Sequence, residues 1–372
     1  MQTTIRHARF EIPNNTEPSQ ATTWIDLISS RVEAERKRSV VLNFPTFVRA
    51  AAELLNKPPA ENDKELVRQG LSDWAISAAF SSVVGQAFYD GFRLTPDSLQ
   101  GVYDIQAVEN FLPQMALSQY QGGRLTVASR GRAESLFYGL GGQPWAISRF
   151  TAQAAIDEID LVNVRALDTL VEGAKEMGRA AKRLIADTLW ALVFSNPLMP
   201  DDVVCFDAAT HGNYAAAAFS DTALDSAFAA LGRQTLTDDE GLPLHVNASG
   251  RYLIVSPAIF GPAQRQSHCL WAGLTPIEVR SESRLTTLGF LHPTAEQIVT
   301  APTDSSWLLA APASTIKCLV LGALDGKVEP EIRITPFGQT PPGGRWGYTL
   351  DCKLDIGAAL VNYRGLYFSA GA

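Results

Sequence analysis

Two runs near the end of the chain alternate apolar and polar residues. Glu329–Thr335 reads E-P-E-I-R-I-T, alternating from Glu331, and Tyr348–Ile356 reads Y-T-L-D-C-K-L-D-I. A period of two puts one face of a strand in a core and the other in polar surroundings, so both runs predict half-buried strands. Pro336–Gly347 joins them, with Pro341, Pro342, Gly343 and Gly344 at its tip and Arg345 beside them. That connection is too long and too rich in Pro and Gly for a tight turn, and the pair predicts a long hairpin. A hairpin that projects this far is expected to touch something outside its own chain.

Elsewhere the apolar period is helical. Residues 167–195 carry Leu170, Ala174, Met177, Ala181, Leu184, Ile185, Leu189, Leu192 and Val193 on one side, and Asn196-Pro197 ends the pattern. This predicts a helix about 40 Å long. Glu172–Lys175, Glu176–Arg179 and Arg183–Asp187 are spaced to pair on its exposed side. Near the start, Trp24, Ile25, Leu27, Ile28 and Val32 predict a helix to Arg38, with Thr22-Thr23 as cap. A second helix is expected over Pro45–Asn56, ending before Pro58-Pro59. A third is expected from Ser72 as N-cap towards Gly91, with Asp73 in its first turn and Ile76, Phe80, Val83 and Ala87 as its stripe.

Residues 111–150 change character. Gly122-Gly123, Gly131, Gly139 and Gly141-Gly142 punctuate short strand-like pieces, among them one in which Leu125 and Val127 alternate with polar neighbours. The segment predicts a two-stranded excursion, which is marginal alone and needs a partner surface. From Val203 to Leu324, short apolar strands (Leu253–Val255, Leu308–Ala310, Cys318–Leu321) alternate with helical pieces such as Asp221–Gly232. That is a mixed α/β layer.

Composition changes little. At 372 residues, 46% hydrophobic and 19% charged, the chain can bury a core and hold more than one subdomain. Its net charge of −8 does not suit a nucleic-acid binder. Cys205, Cys269, Cys318 and Cys352 lie in apolar or alternating stretches without C-x-x-C spacing, and read as buried free thiols. No run is long and apolar enough for a membrane span, and the N-terminus has no apolar core of a secretory signal.

The search for reactive groups yields weak candidates. The histidines His7, His211, His245, His268 and His292 form no metal-ligand spacing, so neither a metal nor a cofactor site is expected. Gly139–Pro144, G-L-G-G-Q-P, lacks the ending of a phosphate loop and reads as a flexible bend. Asp157-Glu158-Asp160 and Asp238-Asp239-Glu240 read as solvated or capping carboxylates. His211-Gly212-Asn213 reads as a turn before a helix rather than a catalytic histidine. No catalytic residue is assigned, and the chain is not expected to be an enzyme.

Five stretches, in order, carry a resemblance. Ile147–Leu161 (I-S-R-F-T-A-Q-A-A-I-D-E-I-D-L), Met177–Arg183 (M-G-R-A-A-K-R), His211–Asn213, Arg251–Ala263 (R-Y-L-I-V-S-P-A-I-F-G-P-A) and the end of the chain resemble tailed-phage major capsid proteins of the Hong Kong 97 fold. The end comprises Trp307–Pro312 (W-L-L-A-A-P), the two alternating strands and N-Y-R-G-L-Y from Asn362. The likeness covers roughly residues 72–372 and is nearest to the branch related to Mu-type head subunits and to protease-fused capsid proteins. The chain departs from it at Asp157-Glu158, which stands where the family has two aspartates, and at Asn362-Tyr363, where the family has an acidic-aromatic pair.

The resemblance implies an α+β capsid fold: an arm (1–71), an extension loop (111–150), a peripheral domain (72–110, 151–199 and 325–360) and an axial domain (200–324 and 361–372). It implies a structural protein of the virion capsid, assembling with itself as hexamers and pentamers in the host cytoplasm around double-stranded DNA. An acidic shell is compatible with that cargo, since a container for packed DNA should not grip it. Further partners implied are a portal, a scaffold, a maturation protease and a cement protein; no membrane is involved. Some relatives cross-link subunits through a lysine of the extension loop. None of the eight lysines lies in 111–150, whose cations are Arg124, Arg130, Arg132 and Arg149. Guanidinium is a poor nucleophile and a good carboxylate partner, so overlap rather than a covalent bond is expected to hold the shell. The expected contact residues are Trp24, Ile28, Phe44 and Phe47 of the arm, Arg124, Arg130 and Arg132 of the loop, and Pro341, Pro342 and Arg345 of the hairpin. Two other readings share part of the pattern: an encapsulin-like nanocompartment shell, and a soluble α/β enzyme. The long arm disfavours the first and the missing nucleophile and metal motifs the second.

Overall fold

The computed structural model of the chain describes residues 43–119, 140–163, 167–237, 242–270, 277–337 and 346–371. The helix expected over Trp24–Arg38 lies outside them. Helix α1 (Phe44–Leu54) is capped by Asn43, whose side chain accepts from the Thr46 N–H at 2.8 Å, with Pro45 in its first turn where no N–H is needed. Helix α2 (Asp63–Ser72) is capped in the same way by Asn62. Helix α3 (Trp74–Leu94) starts on Asp73, whose carboxylate accepts from the Ala75 N–H at 3.0 Å. The expected cap Ser72 is instead the last residue of α2, because a carboxylate at 73 reaches the free N–H groups and ends one helix as it begins the next.

Four strands follow: β1 (Tyr103–Val108), β2 (Gln114–Gln119), β3 (Leu140–Trp145) and β4 (Ser148–Asp157). Then come α4 (Glu158–Asn163) and the 29-residue α5 (Leu167–Ser195), with the bounds its apolar stripe predicts. It ends where Asn196 takes a φ of 44°, a left-handed conformation that asparagine tolerates. Beyond it lie β5 (Tyr214–Ala215), α6 (Asp221–Gly232), β6 (Thr235–Thr237), β7 (Pro243–His245), β8 (Tyr252–Val255), α7 (Phe260–Leu270), β9 (Glu278–Ser281), β10 (Phe290–Leu291) and β11 (Ile298–Val299). The chain closes through β12 (Trp307–Ala310), β13 (Leu319–Leu324), β14 (Glu331–Phe337), β15 (Gly347–Leu360) and β16 (Leu366–Ser369).

These elements form two compact units, each made of separated pieces. One takes the described residues up to Pro96, then Arg149–Arg183 and Glu329–Leu354. The other takes Asp97–Ser148, Leu184–Val328 and Asp355–Ala372. The boundaries fall inside α5 and β15. Residues 97–110, 184–199, 325–328 and 355–360, which the resemblance assigns to the peripheral domain, cluster with the second unit.

In the first unit, α1 and α2 pack on α3 around an aromatic cluster. The Phe80 ring lies 5.1 Å from Phe44 and 4.6 Å from Tyr348, centre to centre. Gly70 lets α2 close on α1: a Cβ there would lie 2.6 Å from a Val48 methyl and 3.1 Å from the Phe44 ring. Helices α3 and α5 approach closer still. A Cβ on Gly91 would meet the Lys175 carbonyl at 2.0 Å, and one on Gly178 the Phe88 carbonyl at 2.0 Å. The hairpin strands pair antiparallel, from Glu331↔Lys353 to Phe337↔Gly347. As the alternation predicts, Ile332, Ile334, Leu350 and Cys352 are buried while Glu331 and Arg333 are exposed.

The second unit is built on a sheet in the order β5-β16-β12-β8-β9. Strand β12 lies at its centre, antiparallel to β16 and to β8. Leu253, Val255, Trp307, Leu309 and Tyr367 form its core with Leu224, Ala227 and Leu231 of α6. Three of the marker strings are therefore neighbouring strands of one sheet, and their continuous apolar runs reflect burial on both faces. In the same unit β13 pairs parallel with β1 and antiparallel with the end of β15.

Candidate assembly surfaces

An exposed apolar group of the second unit lies at the root of the 111–150 excursion. Strands β2 and β3 pair antiparallel, with Met115↔Pro144, Ala116↔Gln143 and Leu117↔Gly142. Ala116 and Trp145 turn one face into a core with Val108, Ile147, Val320, Ala359 and Val361. The opposite face presents Met115 and Leu117 at 56% and 61% exposure, with Leu112 at 67% and Phe111 beside them. The sequence reading placed the excursion without singling out these four residues. Met115, Ala116 and Leu117 are three apolar residues in a row, a run with no period that would mark one face as exposed. Gly141 and Gly142 form no flexible bend: they lie in β3, where Gly142 leaves room for the Met115 methyl, 2.8 Å from where a Cβ would sit; Gly139 lies outside the described residues. The rest of the excursion, with Arg124, Arg130 and Arg132, lies outside the described residues. So do Trp24, Ile28, Pro341, Pro342 and Arg345.

Phe44 and Phe47 are corrected. Both were expected to bury area on a neighbouring subunit. Each is 1% exposed within its own chain, held in the cluster with Phe80, and Phe44 also against Tyr348. That leaves them no apolar surface to offer.

The candidate reactive groups are structural. The His211 ring stacks on Tyr363, 3.6 Å between centres and 13° from parallel. Its Nδ1 lies 3.0 Å from the Cys205 carbonyl and its Nε2 2.9 Å from the Asp201 carboxylate. Asn213 donates to the Cys205 carbonyl at 2.9 Å and accepts from the Asp207 N–H at 3.0 Å, while its own carbonyl accepts from Phe368 N–H. Arg364 lies over the Tyr363 ring and donates to the Thr235 carbonyl at 2.7 Å. The H-G-N and N-Y-R-G strings thus meet and lock β5 to β16, which pair in parallel. Burial pushes the Cys205 thiol well up, and a thiol held protonated is no nucleophile. Cys318 and Cys352 are likewise buried free thiols, pushed up to about 12 and about 11. The Cys269 side chain lies outside the described residues.

The carboxylates behave as capping groups. Asp157 accepts from the Glu158 N–H at 2.6 Å, and Glu158 pairs with Arg68 at 3.3 Å. Asp238-Asp239-Glu240 lies outside the described residues. On α5, Glu176 takes both Arg179 at 3.0 Å and Arg183 at 2.6 Å. Among the described residues no group of three or more His, Cys, Asp or Glu is placed to hold a metal ion.

A family model described as phage capsid protein matches residues 143–369, well over half of the chain. The chain belongs to that family. It is a structural protein of a phage capsid, and its place is the virion capsid. No curated protein matches it in sequence. Among solved structures it is similar to the mature capsid of bacteriophage PhiM1, at 13% identity over 74% of this chain and 86% of that one, with a TM-score of 0.49. It is similar to the capsid of cyanophage P-SCSP1u at 10% identity over 75% and 89%, TM-score 0.48. A third is the procapsid of bacteriophage JBD30, at 13% identity over 80% and 75%, TM-score 0.41.

Proposed function

We propose that this protein closes the head as hexamers and pentamers around double-stranded DNA, and that overlap between subunits rather than a covalent bond holds the lattice. The first compact unit serves as the peripheral domain and the second as the axial domain. The observation that carries the overlap is the ribbon root: a surface formed by Phe111, Leu112, Met115 and Leu117 is a liability in a monomer and an asset under a neighbour. The arm adds Trp24 and Ile28, each contributing roughly 1.5–3 kcal/mol when fully buried. Arg124, Arg130 and Arg132 face carboxylates of a neighbouring subunit, and Pro341, Pro342 and Arg345 make the contacts of the hairpin tip. Assembly takes place in the host cytoplasm, with a portal at one vertex and with a scaffold, a maturation protease and a cement protein as further partners. The role is structural, with no enzymatic step.

The test is deletion of residues 1–40 alongside the double change Arg130→Ala, Arg132→Ala. Both variants are expected to form particles that melt at lower temperature than the parent. Particles as heat-stable as the parent in both cases would transfer the lattice stability to a cement protein.

A further inference from the structure

A second apolar surface lies on the small hairpin of β10 and β11. The two strands pair antiparallel with Phe290↔Val299 and Leu291↔Ile298. Residues directly opposite share a face, and successive residues alternate faces. The Phe290 and Val299 face is partly buried: the Phe290 ring lies 6.2 Å from Phe194, and the Arg284 guanidinium sits 5.8 Å from its centre. The other face presents Leu291 at 61% and Ile298 at 72% exposure, with Leu288 just before it at 88%. Three large aliphatic side chains thus stand outside a hairpin whose inner face is anchored.

The hairpin is held rigid by its own polar groups. At the neck, Thr287 donates its N–H and its hydroxyl to the Asp304 carboxylate at 2.7 and 2.9 Å. Those bonds hold Asp304 below the ordinary carboxylate range. At the tip, His292 N–H donates to the Gln297 carbonyl at 2.8 Å, and His292 Nδ1 accepts from the Thr294 and Ala295 N–H groups at 3.2 and 3.1 Å. A surface ordered in advance loses little freedom on docking.

We infer that Leu288, Leu291 and Ile298 form a contact between copies of this chain, separate from the extension ribbon. The inference rests on the shell reading. Charge selects the occupant. Residues 286–303 contain one carboxylate, Glu296, and no lysine or arginine. A nucleic acid needs cations to meet its phosphates, and a membrane surface is met by basic residues beside the apolar ones. The hairpin itself carries no cation, and the nearby Arg284 is held by Asp187 and Glu282, so the fitting surface is an apolar patch of protein, and in a shell the protein always at hand is another copy. Size agrees. A stable pairwise interface takes about 20–30 residues a side, and a hairpin of this length supplies fewer than that. The contact is therefore too small to hold two subunits by themselves and acts when a ring of copies closes.

The experiment uses particles assembled from this chain alone, and the same chain dissociated into subunits. Hydroxyl-radical footprinting reads labelling of Leu288, Leu291 and Ile298 in each. At least a fivefold fall in the particle is expected, and equal labelling in both states overturns the contact. The second arm is Leu288→Ser, Leu291→Ser, Ile298→Ser. Its circular dichroism and thermal melting as dissociated subunits are expected to match the parent, while particle yield falls at least tenfold. Particles at parental yield from this variant overturn the contact and leave the shell reading standing. A parent chain that stays a monomer, with neither particles nor ring-shaped capsomers under every assembly condition, overturns both.

Discussion

At the scale of single residues, two glycines of one helix have opposite roles. Gly178 on α5 touches the backbone of α3, and neither partner can move aside as a side chain could. Gly178→Ala is expected to cost about 1–3 kcal/mol, read as a fall in thermal or denaturant midpoint. Gly173 on the same helix meets nothing within 4 Å, and Gly173→Ala is expected to stabilise by up to about 1 kcal/mol through helix propensity. Equal effects at both positions would refute the close crossing. The buried thiols make a second residue-scale prediction. The folded state keeps protons that the unfolded chain releases near the ordinary value of 9.0. The stability this contributes is whole below pH 9, and is lost as pH rises towards about 11 for Cys352 and about 12 for Cys318. Native protein at pH 8 should leave both unlabelled by a thiolate-directed reagent, and Cys352→Ala should flatten the alkaline decline in melting temperature.

At the scale of elements, legibility follows how strongly local pattern and tertiary burial agree. Helix α5 was readable to the residue because its stripe runs unbroken for 29 residues and Asn196-Pro197 closes it. The hairpin strands were readable because one face is buried and the other is not. Helix α2 was missed: D-K-E-L-V-R-Q-G-L-S is largely polar and holds a glycine, and its buried Leu66, Val67 and Leu71 gain meaning only once α1 and α3 are in place. Phe44 and Phe47 were misassigned for the related reason that a sequence marks an apolar side chain without marking its partner. The ribbon root is the reverse case, an exposed apolar face in the unbroken run Met115-Ala116-Leu117, which has no alternation to mark it. Met115→Ser with Leu117→Ser is expected to leave subunit melting within about 0.5 kcal/mol of the parent, as for exposed positions generally, while lowering the melting temperature of particles. Loss of subunit stability with unchanged particles would place that face inside the chain.

At the scale of the whole molecule, the function belongs to many copies together. Four of the five ordered marker strings lie in a buried sheet, a close helix crossing and a locked turn, whereas Ile147–Leu161 is largely an exposed strand. The outward surfaces that decide assembly carry no such signature, since an exposed leucine in one chain gives no sign of what covers it in a shell. Overlap without covalent linkage predicts a single band at the 40.2 kDa chain mass when particles are dissolved in denaturant and run on a gel. A ladder mapping to residues 111–150 would contradict it. The most direct measurement is of the chain expressed alone, followed by analytical ultracentrifugation and electron microscopy of the purified product. The account predicts megadalton closed shells or ring-shaped capsomers built from this one chain; a monodisperse monomer at high concentration under every assembly condition would contradict it.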